Sequence, residues 1–275
     1  MNQIGKISLK RRVKSKIFII LCWLAALISV SVLFNILYTL LNHGLTSLDA
    51  YIFTHDTREL GLRNAIIGSL ILTAGSIIIA TPIAFLTAIF FVEYKQFKKT
   101  IKLLRFINDI MLSAPSVIIG LFIYTIIVIH SSFSAYAGMI ALAVIALPMI
   151  TRASEDVLYL VSPMLKEAAI ALGIPKWRVI FKIVFRSAKS GLITAIILAT
   201  ARVMGESAPL LFTSAKNSFF SVNLTKPIES LPVMIFENAM QPYPDLQNLA
   251  WTGALMITLL VLTMNLSARW VTKRK

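Results

Sequence analysis

The chain has 275 residues, of which 57% are hydrophobic and only 14% are charged. A soluble domain of this length carries about a quarter charged residues, so the composition argues against a soluble protein and indicates an integral membrane protein. Its spans should be helices, because lipid offers no partner to an unpaired backbone group.

The net charge of +15 would suggest a nucleic-acid partner in a soluble protein. In a membrane protein, Lys and Arg collect on the loops that stay on the cytoplasmic side, so we expect no nucleic-acid binding. The single cysteine, Cys22, and three scattered histidines give neither a disulfide framework nor a metal site, and we expect no metal and no cofactor.

Apolar segments long enough to cross a membrane, which takes about 20 helical residues, occur six times along the chain. We therefore predict an all-α bundle of six transmembrane helices. The predicted spans are 17–41, 64–92, 108–130, 136–152, 189–211 and 248–270. The corresponding division is a basic tail (1–16), a first span with its outer loop (17–59), a main transmembrane domain (60–271) and a short end (272–275).

The first span follows a basic tail and could be a signal peptide. Its apolar run is too long, however, and no small-residue cleavage site is evident, so we favour a retained anchor. Of the 27 Lys and Arg residues, 22 lie in 1–16, 93–107, 151–189 and the C-terminal end, which an even number of spans places on one side. Both termini should therefore be cytoplasmic.

The loop 151–189 contains an unusual interruption. Ser162 and Pro163 are a strong helix start, with the Ser162 hydroxyl available to the first N–H groups, and Gly173 followed by Pro175 is a stop. The helix between them has about ten residues, far too few to span a membrane. A second, amphipathic helix with a basic stripe should begin near Pro175. This pattern is typical of a docking element, although a loop that merely connects two spans remains the alternative.

The residues of this interruption resemble the EAA loop of ABC-importer permeases. The resemblance is carried by Glu167, Ala168 and Ala169, with Gly173 and then Ile183 at the family's spacing. It implies a coupling helix that fits a groove on a separate ATPase, where the alanines seat closely, Glu167 offers a charged contact and Gly173 permits the turn. The family's usual Ile-x-Leu-Pro is here Ile-Val-Phe-Arg.

A narrower resemblance extends from about residue 60 to the C-terminus. ALGIPKW, ARVMGESAPLLFT, LSAPSVIIGLF and TRASEDVL, at their positions here, are similar to the PstA-type permeases of phosphate importers. The resemblance implies a MetI-like bundle of the type I importers. It also implies a second permease subunit (PstC-type), two ATPase subunits (PstB-type) and an extracytoplasmic phosphate-binding protein. No G-x-x-x-x-G-K-[ST] motif occurs, so the chain should not be an enzyme, and nucleotide should bind elsewhere.

Charged residues inside predicted spans are costly and therefore indicate function. Arg202 and Glu206 are four residues apart in the fifth span and should share a helix face, while Arg152 and Glu155 form a similar pair near the end of the fourth. We expect the arginines to line an anion path, because guanidinium binds oxyanions through paired N–H groups. The alternative is that each pair is a buried bridge between helices.

Two further segments are candidates. The run from Ser113 to Ser116 contains Pro115 and is either a proline kink or a helix start whose N–H groups face the path. The outer loop 212–247 contains an apolar stretch, 231–240, that should lie at the interface or dip into the protein and receive substrate from the binding protein.

The resemblance thus implies a permease subunit for phosphate in a prokaryotic plasma (inner) membrane. A permease for sulfate, molybdate or a phosphonate is the nearest alternative. An ion-coupled secondary transporter or channel would account for the intramembrane charges but not for the short helix, and a scaffold would leave Arg202 unexplained.

Overall fold

The computed structural model describes residues 2–46 and 48–273, and this part of the chain is all-α, without strands. Two π-helical segments, Tyr124–Val128 and Val179–Val184, each lie between two α-helices and connect them without a break. In chain order the α-helices are α1 (Asn2–Thr46), α2 (Tyr51–Thr54), α3 (Arg63–Glu93), α4 (Lys98–Ser113), α5 (Ser116–Ile123), α6 (Ile129–Ser131), α7 (Ala135–Tyr159), α8 (Pro163–Ala171), α9 (Lys176–Arg178), α10 (Phe185–Val203), α11 (Ala208–Leu211), α12 (Leu231–Ala239) and α13 (Pro244–Lys273).

Within the described residues, five helical stretches are long and apolar enough to cross a membrane, and a bent pair makes a sixth. The all-α fold class and the multi-span architecture are therefore confirmed. The five stretches are Val13–Thr46, Arg63–Glu93, Ala135–Tyr159, Lys176–Val203 and Pro244–Trp270. Each overlaps one predicted span, but most extend beyond the predicted limits because polar residues continue these helices past the apolar run.

The third predicted span, 108–130, is wrong as a single straight helix. Lys98–Ser113 and Ser116–Ser131 meet at an angle of 103°, with Ala114 and Pro115 between them. Pro115 has no N–H to donate and disfavours helical geometry at the residue before it, so the helix ends there. Of the two alternatives given for this run, the proline kink is in fact a complete break, and a new helix begins at Ser116. Most of the segment 93–107, which lies between two predicted spans, belongs to α4.

The core of the bundle is formed where α3 packs along α7. The buried face of α3 is made mainly of small side chains, which let the two helix backbones approach closely. Gly75 shows how close this approach is, since a Cβ there would lie 2.5 Å from the Met139 sulfur of α7. This rigid pair positions the other helices.

The fifth predicted span, 189–211, also needs correction. The helix begins at Lys176 and ends at Val203, so the predicted separate basic helix and the span are one continuous helix, α9–α10. Beyond Val203 the chain turns and forms the short α11, whose Pro209 packs against Gly120 of α5; a Cβ on Gly120 would lie 2.6 Å from the Pro209 Cα. This contact holds the end of α10 beside α5.

The outer segment between α11 and α13 dips into the protein at α12. Leu231, Val233 and Met234 are buried there, so the apolar stretch 231–240 packs against α3 and α13. α1 lies at the edge and contacts α13, where His43 faces Trp251 with ring centres 5.2 Å apart. Between residues 17 and 37 the side chains of α1 are exposed and mostly apolar, as expected of a helix surrounded by lipid.

Candidate translocation and coupling sites

α8 is the predicted short helix, and its C-terminal end is closed by a Schellman motif. Gly173 has φ +77°, its N–H donates to the Ile170 carbonyl at 2.9 Å, and the Ile174 N–H donates to the Ala169 carbonyl at 3.2 Å. This is the left-handed position that favours glycine. At the other end the Ser162 side chain makes no capping hydrogen bond, so that part of the prediction is wrong, and Pro163 alone supplies the start.

The surface of α8 is apolar and exposed. Met164 and Leu172 expose 77% and 81% of their area, and Glu167 and Ala168 are exposed beside them. An exposed apolar patch of this kind marks an interaction surface. Ala169, in contrast, is 5% exposed and faces the chain's own core, so it is not available to a partner as we expected. It instead allows α8 to lie close against the bundle.

Two lysines that the sequence analysis did not single out fix α8 and α9 to the end of α3. The Lys166 ammonium pairs with the Glu93 carboxylate, and both side chains are largely buried. The Lys176 ammonium donates to the Glu93 carbonyl at 2.8 Å and lies 4.3 Å from the centre of the Tyr94 ring. We call this end of the bundle the coupling end. No local sequence signal marks Glu93, because its partners are more than 70 residues away.

A cavity of about 370 Å³ lies at the break between α4 and α5. It brings together Arg202, Glu206 and the run from Ser113 to Ser116, which sequence analysis proposed separately. Apolar side chains, including Ile145 and Met149 of α7, form the remaining wall. The structure therefore gathers two of the predicted polar features into one site on the side of the bundle.

The predicted relation between Arg202 and Glu206 is wrong in its geometry. Arg202 lies in the last turn of α10, whereas Glu206 lies beyond the helix, so the two do not share a helix face. No ion pair within 4.0 Å joins them in the described structure, although both line the cavity. Arg202 is about 20 Å along the helix from Lys189, at 1.5 Å per residue, and lies one residue before the helix ends at Val203.

The predicted pair of Arg152 and Glu155 does not form either. Glu155 is buried and bonds instead to Arg105 of α4, with 2.5 Å between the charged atoms. Arg152 is half exposed and lies 3.9 Å from Asp156, one turn further along α7. Glu155 thus joins two helices, while Arg152 lies about one helical turn from Met149 in the cavity wall.

A buried acid lies in the outer segment, whose backbone packs there against Gly68 of α3. Glu229 is 1% exposed, and one of its carboxylate oxygens has no hydrogen-bond partner in the described structure. Burial, and secondarily the negative charge of Glu237, raise the pKa of Glu229 to about 7, against the opposing effect of Lys216. Lys216 is itself paired with Glu237 at 2.8 Å.

The sequence and fold agree with those of known transport proteins. Residues 80–275 match the model of the binding-protein-dependent transport system inner membrane component, and the chain belongs to this family. The MetNI methionine ABC transporter in an inward-facing conformation has a similar fold, with a TM-score of 0.61, 18% identity, and coverage of 82% of this chain and 99% of that one. A MetI-like bundle is therefore confirmed.

Relatives extend over nearly the whole length of the chain. The phosphate transport system permease protein PstA of Yersinia pestis is 44% identical, covering 96% of this chain and 92% of that protein. The PstA of Haemophilus influenzae is 42% identical, covering 94% of each, and the probable PstA of Methanocaldococcus jannaschii is 31% identical, covering 96% and 95%. The predicted family is confirmed, and the chain is a transport component.

Proposed function

We propose that this chain is the membrane-spanning permease subunit of an ATP-driven importer of inorganic phosphate. The observation that carries the proposal is the placement of Arg202 in a polar cavity on one side of the bundle, without an ion-pair partner in the described structure. The names of relatives that are 42–44% identical over most of the chain support phosphate as the oxyanion. Sulfate, molybdate and phosphonate are the alternatives that the experiment below tests.

In this proposal the guanidinium of Arg202 binds two phosphate oxygens through parallel N–H groups. The N-terminal end of α5 at Ser116 adds the positive end of a helix dipole on the other side of the cavity. Glu206 lies in the same cavity and weakens the attraction, because a transported ion must be held without being trapped. Arg152 forms a second station toward the coupling end.

The coupling step begins at α8. Its exposed surface, with Glu167, Ala168 and the neighbouring apolar side chains, docks into a separate ATPase subunit, and Gly173 sets the turn into α9. From there a continuous helix runs to Val203, next to Arg202, over about 40 Å. A displacement of α8 is therefore transmitted to the cavity along one rigid helix, and through the Lys166–Glu93 pair to α3.

The proposed assembly contains a second, related permease subunit of the PstC type, two PstB-type ATPase subunits and an extracytoplasmic phosphate-binding protein. The second permease completes the path, because the cavity described here is formed on one side of one bundle only. Both termini and α8 are cytoplasmic in this topology, which places the segment 212–247 where the binding protein delivers phosphate.

Labelled-phosphate uptake in a strain that lacks its own importer permease tests the proposal. We expect the wild-type chain to restore uptake, with excess sulfate or molybdate failing to compete. Arg202→Gln should abolish uptake while the complex still assembles, and Arg186→Gln, an exposed arginine on the same helix outside the cavity, should retain it. If Arg202→Gln impairs assembly and the surviving complexes still transport, Arg202 is a structural residue. Uptake that follows an ion gradient without ATP would support a secondary transporter.

A further inference from the structure

A second cavity, of about 580 Å³, lies at the coupling end of the bundle and is separate from the Arg202 site. It is open to the surface and lies between α4, the end of α3 and the end of α7. Its polar wall consists of Lys95, Lys98, Lys102, Arg105, Tyr159 and one acidic residue, Asp109. Nothing in the proposed transport cycle uses these residues.

The positive charge of this cavity is concentrated on one face of α4. Lys98, Lys102 and Arg105 are spaced by four and three residues and therefore point to the same side of the helix. In the described structure no ion pair includes Lys95, Lys98 or Lys102. Ammonium groups on adjacent turns repel one another, so an anion placed between them lowers their free energy.

The inner wall of the cavity is fixed before any ligand binds. Arg105 bonds to Glu155 and donates to the Tyr159 hydroxyl at 2.8 Å, and its guanidinium lies 5.5 Å from the centre of the Phe91 ring. Its Nε is buried and has no hydrogen-bond partner in the described part of the chain. Glu155 already balances Arg105, and Asp109 offsets one of the three lysines, so the wall of the cavity keeps an excess of two positive charges.

The adjacent surface of α4 is apolar. Phe106, which lines the cavity, exposes 62% of its area, and Leu103, Ile107 and Ile110 are also exposed. In a helix that lies beside a bilayer, such residues contact lipid acyl chains. A ligand that fits both surfaces must carry an anionic head and an apolar tail.

We propose that this cavity binds the phosphate-bearing headgroup of one anionic phospholipid, whose acyl chains lie along Phe106 and Ile110. Basic pockets between transmembrane helices hold such headgroups elsewhere. Inorganic phosphate shares the headgroup chemistry but has no tail for the apolar surface. The bound lipid would hold α4 in place, and the far end of α4, at Ser113, lines the Arg202 cavity.

The test uses the complete importer complex, stripped of lipid in detergent and then incubated with phosphatidylglycerol or zwitterionic phosphatidylcholine. Lipid that stays bound is counted by mass spectrometry of the intact complex. We expect tight binding of phosphatidylglycerol only. Each lysine contributes about fivefold to affinity, so Lys98→Gln together with Lys102→Gln should weaken binding about 25-fold.

Two control pairs separate a specific site from general attraction. Lys14→Gln with Lys16→Gln removes the same charge from α1 and should leave phosphatidylglycerol binding unchanged, and Lys98→Arg with Lys102→Arg should preserve it. The variant with both glutamines could fail to assemble. The proposal is then still tested by comparing the two lipids on the wild-type complex and by the variant with both arginines.

Three results would overturn the proposal. In the first, the wild-type complex holds phosphatidylglycerol no more tightly than phosphatidylcholine, or the glutamine pair binds it as the wild type does. In the second, millimolar inorganic phosphate displaces the bound lipid, which would assign the cavity to the free anion. In the third, the glutamine pair loses the ATPase subunits and keeps its lipid, which would make this wall a protein-docking surface.

Discussion

Glu93, the last residue of α3, pairs with Lys166 in the middle of the short helix α8. Both side chains are less than one-fifth exposed, so the pair is shielded from solvent screening. It joins the helix that we propose as the ATPase contact to the central helix of the core. We therefore regard it as a mechanical link rather than a surface ion pair.

Lys166→Gln should loosen α8 without preventing membrane insertion. Loss of a charged hydrogen bond at a largely buried site costs about 2 kcal/mol, which increases local opening of α8 about 30-fold. Hydrogen exchange of the amides of 163–171 in the assembled complex measures this. Lys166→Arg should restore protection from exchange. Unchanged exchange in Lys166→Gln would show that the Lys166–Glu93 pair does not stabilise α8.

Replacement of Gly173 acts through the backbone. A Cβ would meet nothing within 4 Å, so the cost comes only from φ +77°, about 1 kcal/mol for alanine and more for valine. Gly173→Val should leave ATP hydrolysis but abolish the uptake that it drives, because the turn between α8 and α9 changes direction. The measurement is the ratio of phosphate imported to ATP hydrolysed in vesicles.

Two variants control for this interpretation. Gly173→Asn should be tolerated, since asparagine adopts left-handed geometry more readily than other non-glycine residues. Gly205→Ala adds a Cβ that makes only an ordinary contact, 3.7 Å from the Arg202 carbonyl oxygen, at a φ that is not positive, and it should leave the melting temperature unchanged. Normal coupling in Gly173→Val would refute the assignment of this turn.

Much of the fold was predictable because it depends on local patterns. The apolar runs, Pro163 and Gly173 each act over a few residues, and α8 was accordingly placed to within a residue or two. The break at Ala114 and Pro115 was underestimated. Its 103° angle depends on how α5 packs against α11, and that contact lies about 90 residues further along the chain.

Arg105→Gln tests whether Glu155 is paired with Arg105 and not, as predicted, with Arg152. It would strand a buried carboxylate that is only 5% exposed, and we expect destabilisation of about 3 kcal/mol. Arg152→Gln removes a half-exposed charge and should change stability by less than about 0.5 kcal/mol while lowering uptake. Thermal unfolding of the purified complex and uptake, measured on both variants, separate the two roles.

A large loss of stability in Arg152→Gln would favour the pairing of Arg152 with Glu155 that the sequence predicted. If Arg152→Gln is as destabilising as Arg105→Gln, Arg152 supports the fold and is not a station on the anion path. Normal uptake in a stable Arg152→Gln complex would likewise remove it from the path.

Glu229 should make the outer segment sensitive to pH. Its folded-state pKa of about 7 lies above the ordinary value near 4.5, so the folded state binds the proton more tightly than the unfolded state. Stability therefore falls as pH rises from about 4.5 to about 7, and the loss is complete above that range, at about 3 kcal/mol. Melting temperatures between pH 5 and pH 8 should show the decrease.

Glu229→Gln should remove most of this pH dependence and raise the melting temperature at pH 8. Glu237→Gln removes a neighbouring negative charge, so the pKa of Glu229 should fall and the transition should move to lower pH. An identical pH profile in wild type and Glu229→Gln would contradict this account.

The polar residues of the candidate sites were only partly predictable, because some of the signals are local in the sequence and others depend on distant residues. Arg202 and Arg152 stand out because charge within an apolar run is costly, and that signal is local. Their partners are not local. Glu155 bonds to Arg105, 50 residues earlier, and the helix that was expected to hold Arg202 and Glu206 on one face ends between them.

The most direct test of the central claim is whether the exposed surface of α8 touches an ATPase. In a Cys22→Ser background, which has no other cysteine, Glu167→Cys supplies one thiol on this surface. We expect it to cross-link to the ATPase subunit of the assembled complex, with yield that changes when ATP is added. Asn223→Cys, exposed in the outer segment, should give no such product. Absence of any cross-link from Glu167→Cys to an ATPase, in complexes that import phosphate normally, would contradict the account.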